Sequence, residues 1–146
     1  MSGSRGFSLL ESIAVIGIIA LIATIIMTTS RDSRNKAMLR DAHANAIQTI
    51  EKARSRAITG YGTDDHGVYI ELNKITLFEG ATFPGSGKET KIPPFIDMTT
   101  DSNPVTEIVF TRLVGTASDM TTITLTHSSG ISSEIKITIN GTIDSQ

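Results

Sequence analysis

The sequence predicts an α+β protein, in which one long N-terminal helix packs against a small antiparallel β-sheet head. Two patterns carry this prediction. An apolar run that passes into a helical repeat extends to residue 59, and short segments of alternating apolar and polar residues follow Gly60. With 146 residues, the chain is long enough for an anchor and one modest core.

The apolar run extends from Phe7 to Met27, close to the length of about 20 residues that spans a bilayer. We expect a transmembrane helix here, because a helix satisfies its own backbone hydrogen bonds in lipid. Glu11 is the single charged residue of the run. A carboxylate in such surroundings either takes up a proton or needs a cationic partner.

The segment Gly6-Phe7-Ser8-Leu9-Leu10-Glu11, followed by the apolar run, resembles the type IV prepilin signature. The resemblance implies that a prepilin peptidase cleaves after Gly6 and that the new terminal residue, Phe7, is N-methylated. It also implies that Glu11, the fifth residue of the mature chain, attracts the N-terminal amine of a neighbouring subunit during filament assembly. No residue has an implied catalytic role.

Three regions follow from this resemblance. Residues 1–6 are a leader peptide, residues 7–30 are the transmembrane and assembly half of the helix, and residues 31–146 are a periplasmic or extracellular pilin head. The implied partners are the prepilin peptidase, sister subunits in a helical filament, an inner-membrane assembly platform and membrane lipids. The implied location is the inner membrane as a single-pass precursor, and then a pilus or pseudopilus.

Beyond the apolar run, the helix is predicted to continue to Thr59 and to stop at Gly60, because no proline interrupts it and a glycine favours a C-terminal cap. The second half is amphipathic. Its predicted core positions recur every three or four residues: Leu39, Ala42, Ala46, Ile50, Ala53 and Ala57. The segment Ala53–Ile58, just before the glycine, resembles the same part of GspH/FimT-type pseudopilins and minor pilins, whose heads hold two small sheets.

The head is predicted to begin with a hairpin and to end with a series of short strands. The expected strands are 67–72, 75–78, 105–110, 122–126, 135–139 and 142–143, with turns at 128–130 and 140–141. Residues 80–104 contain all four prolines and several glycines. We interpret them as a long connection outside the core.

Composition and motifs argue against an enzyme or a metalloprotein. The chain has no cysteine, and its three histidines show no ligand spacing. The segment 84–89 resembles a phosphate loop, but Glu89 stands where the motif needs Ser or Thr. Asp64-Asp65-His66 is interpreted as a solvated turn. We expect no catalytic residue, no metal and no cofactor.

Two other functions remain open. The first is a DNA-binding minor pilin for DNA uptake. Against it, residues 113–146 contain one cation, Lys136, and the net charge of the chain is −2. The second is an unprocessed single-pass anchor carrying a domain of another role. In its favour, the four cations Arg31, Arg34, Lys36 and Arg40 follow the apolar run, where the positive-inside rule predicts the cytoplasm.

Overall fold

The computed structural model describes residues 9–101 and 106–145, with the side chains of 27–30 excepted. Contacts divide the chain into two compact units, Met1–Asn35 and Lys36–Gln146. They are called here the N-terminal unit and the C-terminal unit. In the N-terminal unit, the described residues belong to a single helix.

Helix α1 extends from Leu9 to Thr59, so the predicted long helix is confirmed over the described residues. Its C-terminal end is a Schellman cap around Gly60, whose φ is 65°. The N–H of Gly60 donates to the carbonyl of Ala57 (3.1 Å), and the N–H of Tyr61 donates to the carbonyl of Arg56 (3.0 Å). The predicted stop at Gly60 is therefore correct.

The C-terminal unit contains two four-stranded antiparallel sheets. The strands are β1 (His66–Glu71), β2 (Lys74–Glu79), β3 (Lys88–Lys91), β4 (Ile96–Thr100), β5 (Thr106–Phe110), β6 (Thr121–His127), β7 (Ser132–Ile137) and β8 (Ile143–Ser145). The first sheet has the order β3-β2-β1-β5 and the second has the order β4-β6-β7-β8.

The core of the C-terminal unit joins one face of α1 to the inner faces of both sheets. All six predicted helix positions are buried: Leu39, Ala42, Ala46, Ile50, Ala53 and Ala57. The first sheet contributes Val68, Ile70, Ile75, Leu77, Ile108 and Phe110, and the second contributes Ile96, Met98, Ile123, Leu125, Ile135 and Ile137. Four of the six helix residues are alanines, whose small side chains let the sheets approach α1 closely.

The prediction that residues 80–104 form a connection outside the core is wrong. This stretch contains strands β3 and β4, and Ile96 and Met98 of β4 are fully buried. Pro93 and Pro94 are separated from β4 by Phe95 alone and lie outside the strand, where a missing N–H breaks no ladder hydrogen bond. The prolines therefore bound the strand rather than exclude it.

The interpretation of Asp64-Asp65-His66 as a solvated turn also needs correction. His66 begins β1 and is 1% exposed, and its Nε2 lies 2.6 Å from the carbonyl oxygen of Tyr61. Asp65 is half-buried and accepts a hydrogen bond from the N–H of Arg112 (2.7 Å). Only Asp64 is exposed as expected.

Strand boundaries differ from the predicted ones by small shifts. The β7 strand begins at Ser132 rather than at residue 135, and β8 covers Ile143–Ser145 rather than 142–143. The predicted turns are present. The N–H of Gly130 donates to the carbonyl of His127, and the N–H of Gly141 donates to the carbonyl of Thr138 (2.8 Å each).

Candidate functional site

Glu11 lies in the first turn of α1 and its side chain is exposed. Neither ion pair in the described part of the chain includes Glu11, because both involve Lys74. The carboxylate is therefore displayed on the helix without a cation from these residues. Gly6 and Phe7, the residues of the predicted cleavage site, lie outside the described residues, so cleavage and methylation remain predictions.

The helix surface around Glu11 is apolar and uncovered. Leu9 and Leu10 are 80% and 79% exposed. Further along, the side chains of Ile13, Ile16, Ile18, Ile19, Leu21, Ile22, Ile25 and Ile26 are also exposed. Among the described residues, α1 is the one helix that is long and apolar enough to cross a membrane.

Such a surface is unusual for a helix in water, because soluble monomers rarely expose a large contiguous apolar patch. Burial of each large apolar side chain is worth about 1.5–3 kcal/mol. Lipid or other apolar helices would bury these side chains. Gly17 has no side chain, and a Cβ added to it would meet nothing within 4 Å, so another helix could approach α1 closely at this position.

The pseudopilin-like segment Ala53–Ile58 has a structural role at the end of α1. Ala53 and Ala57 are fully buried, whereas Arg54 and Arg56 contact residues of neighbouring loops. Nε of Arg54 donates to the carbonyl of Gly115 (3.4 Å), and the guanidinium carbon of Arg56 lies 5.0 Å from the centroid of the Tyr61 ring. These contacts hold the helix end against the loops.

A second feature of the C-terminal unit was not predicted from the sequence. An open groove of about 460 Å³ lies between α1 and the start of β7. Lys36, Arg40 and His43 line its helix side, and Ser132 and Ser133 line its strand side. The helix cations were visible in the sequence, but the serines stand about 90 residues away, and no local pattern links the two.

Histidines do not form a metal site in the part of the chain that the structure describes. No group of three or more His, Asp or Glu side chains is placed to hold an ion there. His43 lies next to Ser133, and His66 bonds a backbone carbonyl. The Nδ1 atom of His127 accepts a hydrogen bond from the N–H of Ser129 (3.0 Å). Each histidine thus has a local structural partner.

No protein-family profile matches the chain, and no curated protein is similar to it in sequence. The fold is similar to that of a solved structure, the minor pseudopilin EpsH from the type 2 secretion system of Vibrio cholerae, with a TM-score of 0.54. The comparison covers 73% of this chain and 93% of EpsH, at 13% sequence identity. The pilin-like fold expected from the sequence is thereby confirmed.

Proposed function

We propose that this protein is a structural subunit of a type II secretion pseudopilus or a type IV pilus. One observation carries the proposal. The exposed apolar part of α1, residues 9–26, has a single carboxylate, and the folded part of the same chain has the architecture of a minor pseudopilin. Because fold alone does not define function, the exposed helix is the decisive part of this argument.

In this proposal the apolar segment first anchors the precursor in the inner membrane, with the folded part on the periplasmic side. A prepilin peptidase cleaves after Gly6, and the amine of Phe7 is methylated. An assembly platform then transfers the subunit from lipid to a filament of sister subunits. Dispersion contacts between apolar helices replace contacts with lipid, and Gly17 permits close approach.

Glu11 would guide this transfer. Burial of an unpaired carboxylate in an apolar filament core is costly, whereas a nearby positive charge favours its ionised form. Cleavage after Gly6 creates a positive charge of this kind at the amine of Phe7. Pairing of that amine with Glu11 of a neighbouring subunit would satisfy both groups and select one axial register.

The test is Glu11→Ala in the native host, with Glu51→Ala as the matched control. Glu51 is an exposed carboxylate in the C-terminal half of the same helix. We expect Glu11→Ala to be inserted and cleaved normally but to enter sheared filaments at least about 10-fold less. Without the carboxylate, the amine of Phe7 of the neighbouring subunit is buried as an unpaired charge, at a cost of more than about 1.4 kcal/mol.

Glu11→Gln removes the negative charge but keeps a side-chain hydrogen-bond acceptor, so the same assay shows which of the two properties assembly needs. Mass and N-terminal sequence of the membrane-extracted chain report cleavage independently of incorporation. Equal incorporation of Glu11→Ala and the wild-type chain would contradict the assembly role. A chain that retains Met1 in the membrane would favour the unprocessed anchor instead.

A further inference from the structure

The groove between α1 and β7 contains two cations that form no ion pair with a carboxylate among residues 9–101 and 106–145. Lys36 and Arg40 are one helical turn apart, line the same side of the groove and are exposed. The ion pairs among the described residues join Lys74 to Glu71 and to Glu89, and neither includes the groove cations. Two adjacent positive charges without counter-charge favour an anionic ligand.

Hydrogen-bonding groups continue from the cations into the groove. Nδ1 of His43 and Oγ of Ser133 lie 2.5 Å apart, which fixes the imidazole against the start of β7. Burial lowers the pKa of the His43 imidazole, which favours the neutral form of the ring. The ring therefore offers its second nitrogen as a hydrogen-bonding group rather than as a third charge.

An apolar floor accompanies the polar groups. Leu39, which is 6% exposed, and the half-buried Ile131 line the groove beside Arg40. A small inorganic anion would leave this floor uncovered. A ligand that carries an anionic group on an apolar body would contact both parts of the groove.

The position of the groove cations in the sequence indicates which anion is available. Arg31, Arg34, Lys36 and Arg40 come directly after the apolar segment, with Asp32 as the one acidic residue among them. Basic clusters at this place beside a membrane-spanning helix attract anionic lipid headgroups, by about 1 kcal/mol for each cation. Charge complementarity therefore favours a phospholipid.

We propose that the groove formed by Lys36, Arg40, His43 and Ser133 binds the headgroup of an anionic phospholipid, with Leu39 and Ile131 contacting its glycerol and upper acyl carbons. The two cations contact the phosphate. With the hydroxyl of Ser133 donating to Nδ1 of His43, the Nε2–H of the neutral imidazole donates a hydrogen bond to the same phosphate. This proposal depends on the membrane anchoring in the proposed function, but it needs neither cleavage nor filament assembly.

The test measures lipid binding to the full chain in a neutral detergent. Dioctanoyl phosphatidylglycerol is titrated against the protein in dodecyl maltoside micelles, and bound lipid is counted by native mass spectrometry. Dioctanoyl phosphatidylcholine has the same acyl chains without the net charge. We expect the anionic lipid to bind about 10-fold more tightly and to weaken as salt is raised.

Variants locate the site. Lys36→Gln with Arg40→Gln is expected to weaken phosphatidylglycerol binding about 30-fold, since two surface cations are removed. Lys52→Gln with Lys88→Gln removes two exposed cations elsewhere and should leave binding within about 2-fold of wild type. A third variant, Ser133→Ala, removes the partner of His43 while the charge stays constant, and should weaken binding by a smaller factor.

The other outcomes overturn the proposal. Equal binding of the two lipids, or unchanged binding in the Lys36/Arg40 variant, excludes a headgroup site. If soluble glycerol phosphate binds as tightly as the lipid, the groove is a site for a free phosphate ester. If a short DNA duplex binds the wild-type chain and not the Lys36/Arg40 variant, the groove is a nucleic-acid site. If the protein binds the anionic lipid as expected but does not assemble into filaments, the filament-subunit function is contradicted and the lipid site is not.

Discussion

Gly67 is a single residue on which the packing of the first sheet depends. It pairs with Phe78 across β1 and β2, and a Cβ added to it would lie 2.5 Å from Cζ of Phe78 and 2.8 Å from the carbonyl oxygen of Ile108. On the same face, Phe83 stacks on Tyr69 with ring centroids 4.1 Å apart, and meets Phe78 edge-on. The missing side chain at Gly67 leaves room for this aromatic cluster.

We therefore expect Gly67→Ala to destabilise the C-terminal unit by about 2 kcal/mol, the usual cost of overpacking, because Ile108 is held by its strand and cannot move away. Thermal unfolding of the full chain in detergent, followed by circular dichroism, measures the effect. Gly17→Ala adds the same methyl where nothing lies within 4 Å and serves as the control. An unchanged melting temperature for Gly67→Ala would contradict the packing argument.

Among single residues, the sequence identified Glu11 but not the groove. A lone carboxylate in an apolar run is a local signal, and Glu11 lies exposed in the first turn of α1, while its role in assembly stays a prediction. The contact between His43 and Ser133 joins residues 90 positions apart. A partnership of that kind depends on how β7 packs against the helix, which no local pattern specifies.

At the scale of elements, the end of α1 is fixed by loops that follow it much later in the chain. The N–H of Leu113 donates to the carbonyl of Ala57 (2.8 Å), and Nη2 of Arg112 donates to the carbonyl oxygens of Gly60 (3.3 Å) and Gly62 (3.4 Å). These bonds join the last turn of α1 and the two glycine carbonyls that follow it to the later loop. Leu113 adopts a φ of 67°, a costly conformation for leucine, to reach this position.

The connection from α1 to β1 is held by Glu79 at the end of β2. Its Oε1 accepts a hydrogen bond from the N–H of Thr63 (2.9 Å). This bond, with a second from the N–H of Asp64, lowers the pKa of the Glu79 carboxyl below its usual value, and nearby His66 and Arg56 lower it further. The folded state therefore prefers the ionised carboxylate.

A pH dependence follows from this preference. Because the pKa of Glu79 is lower in the folded state, its contribution to stability is complete above the unfolded pKa of about 4.3 and is lost as pH falls through the folded value. We expect the melting temperature of Glu79→Gln to fall less than that of wild type between pH 6 and pH 3. Glu134→Gln, in β7, is the control for loss of an exposed carboxyl. Identical pH profiles for Glu79→Gln and wild type would refute this role.

The elements show where sequence patterns succeed and fail. The long helix and the first hairpin were predictable, because several turns of periodicity or one tight turn specify each of them. Strand β3 has the sequence Lys-Glu-Thr-Lys and is largely exposed at a sheet edge. Such a strand has no apolar alternation to detect, and charges there protect the edge from further pairing. Strand β4 does alternate, but the prolines before it outweighed its short pattern.

At the scale of the whole molecule, the proposed function requires that a second protein recognise the region before α1. We expect Gly6→Ala to block cleavage, because residues 6–11 resemble the type IV prepilin signature, in which the residue before the cleaved bond is a glycine. The mutant would remain in the membrane at precursor mass, whereas Gly3→Ala, an upstream glycine of the leader, would mature. Mass spectrometry of the extracted chains separates the two. Normal maturation of Gly6→Ala would overturn the prepilin interpretation.

The exchange of strands between the two sheets has a consequence for the order in which the protein can fold. The chain adds β4 to the second sheet before it adds β5 to the first, and β4 pairs only with β6 among the named strands. Because the chain is synthesised from its N-terminus, β4 therefore has no strand to pair with until residues 121–127 are present. The second sheet therefore cannot form before β6 is present, and a chain that stops before β6 leaves the backbone of β4 unpaired, which favours aggregation of the incomplete chain.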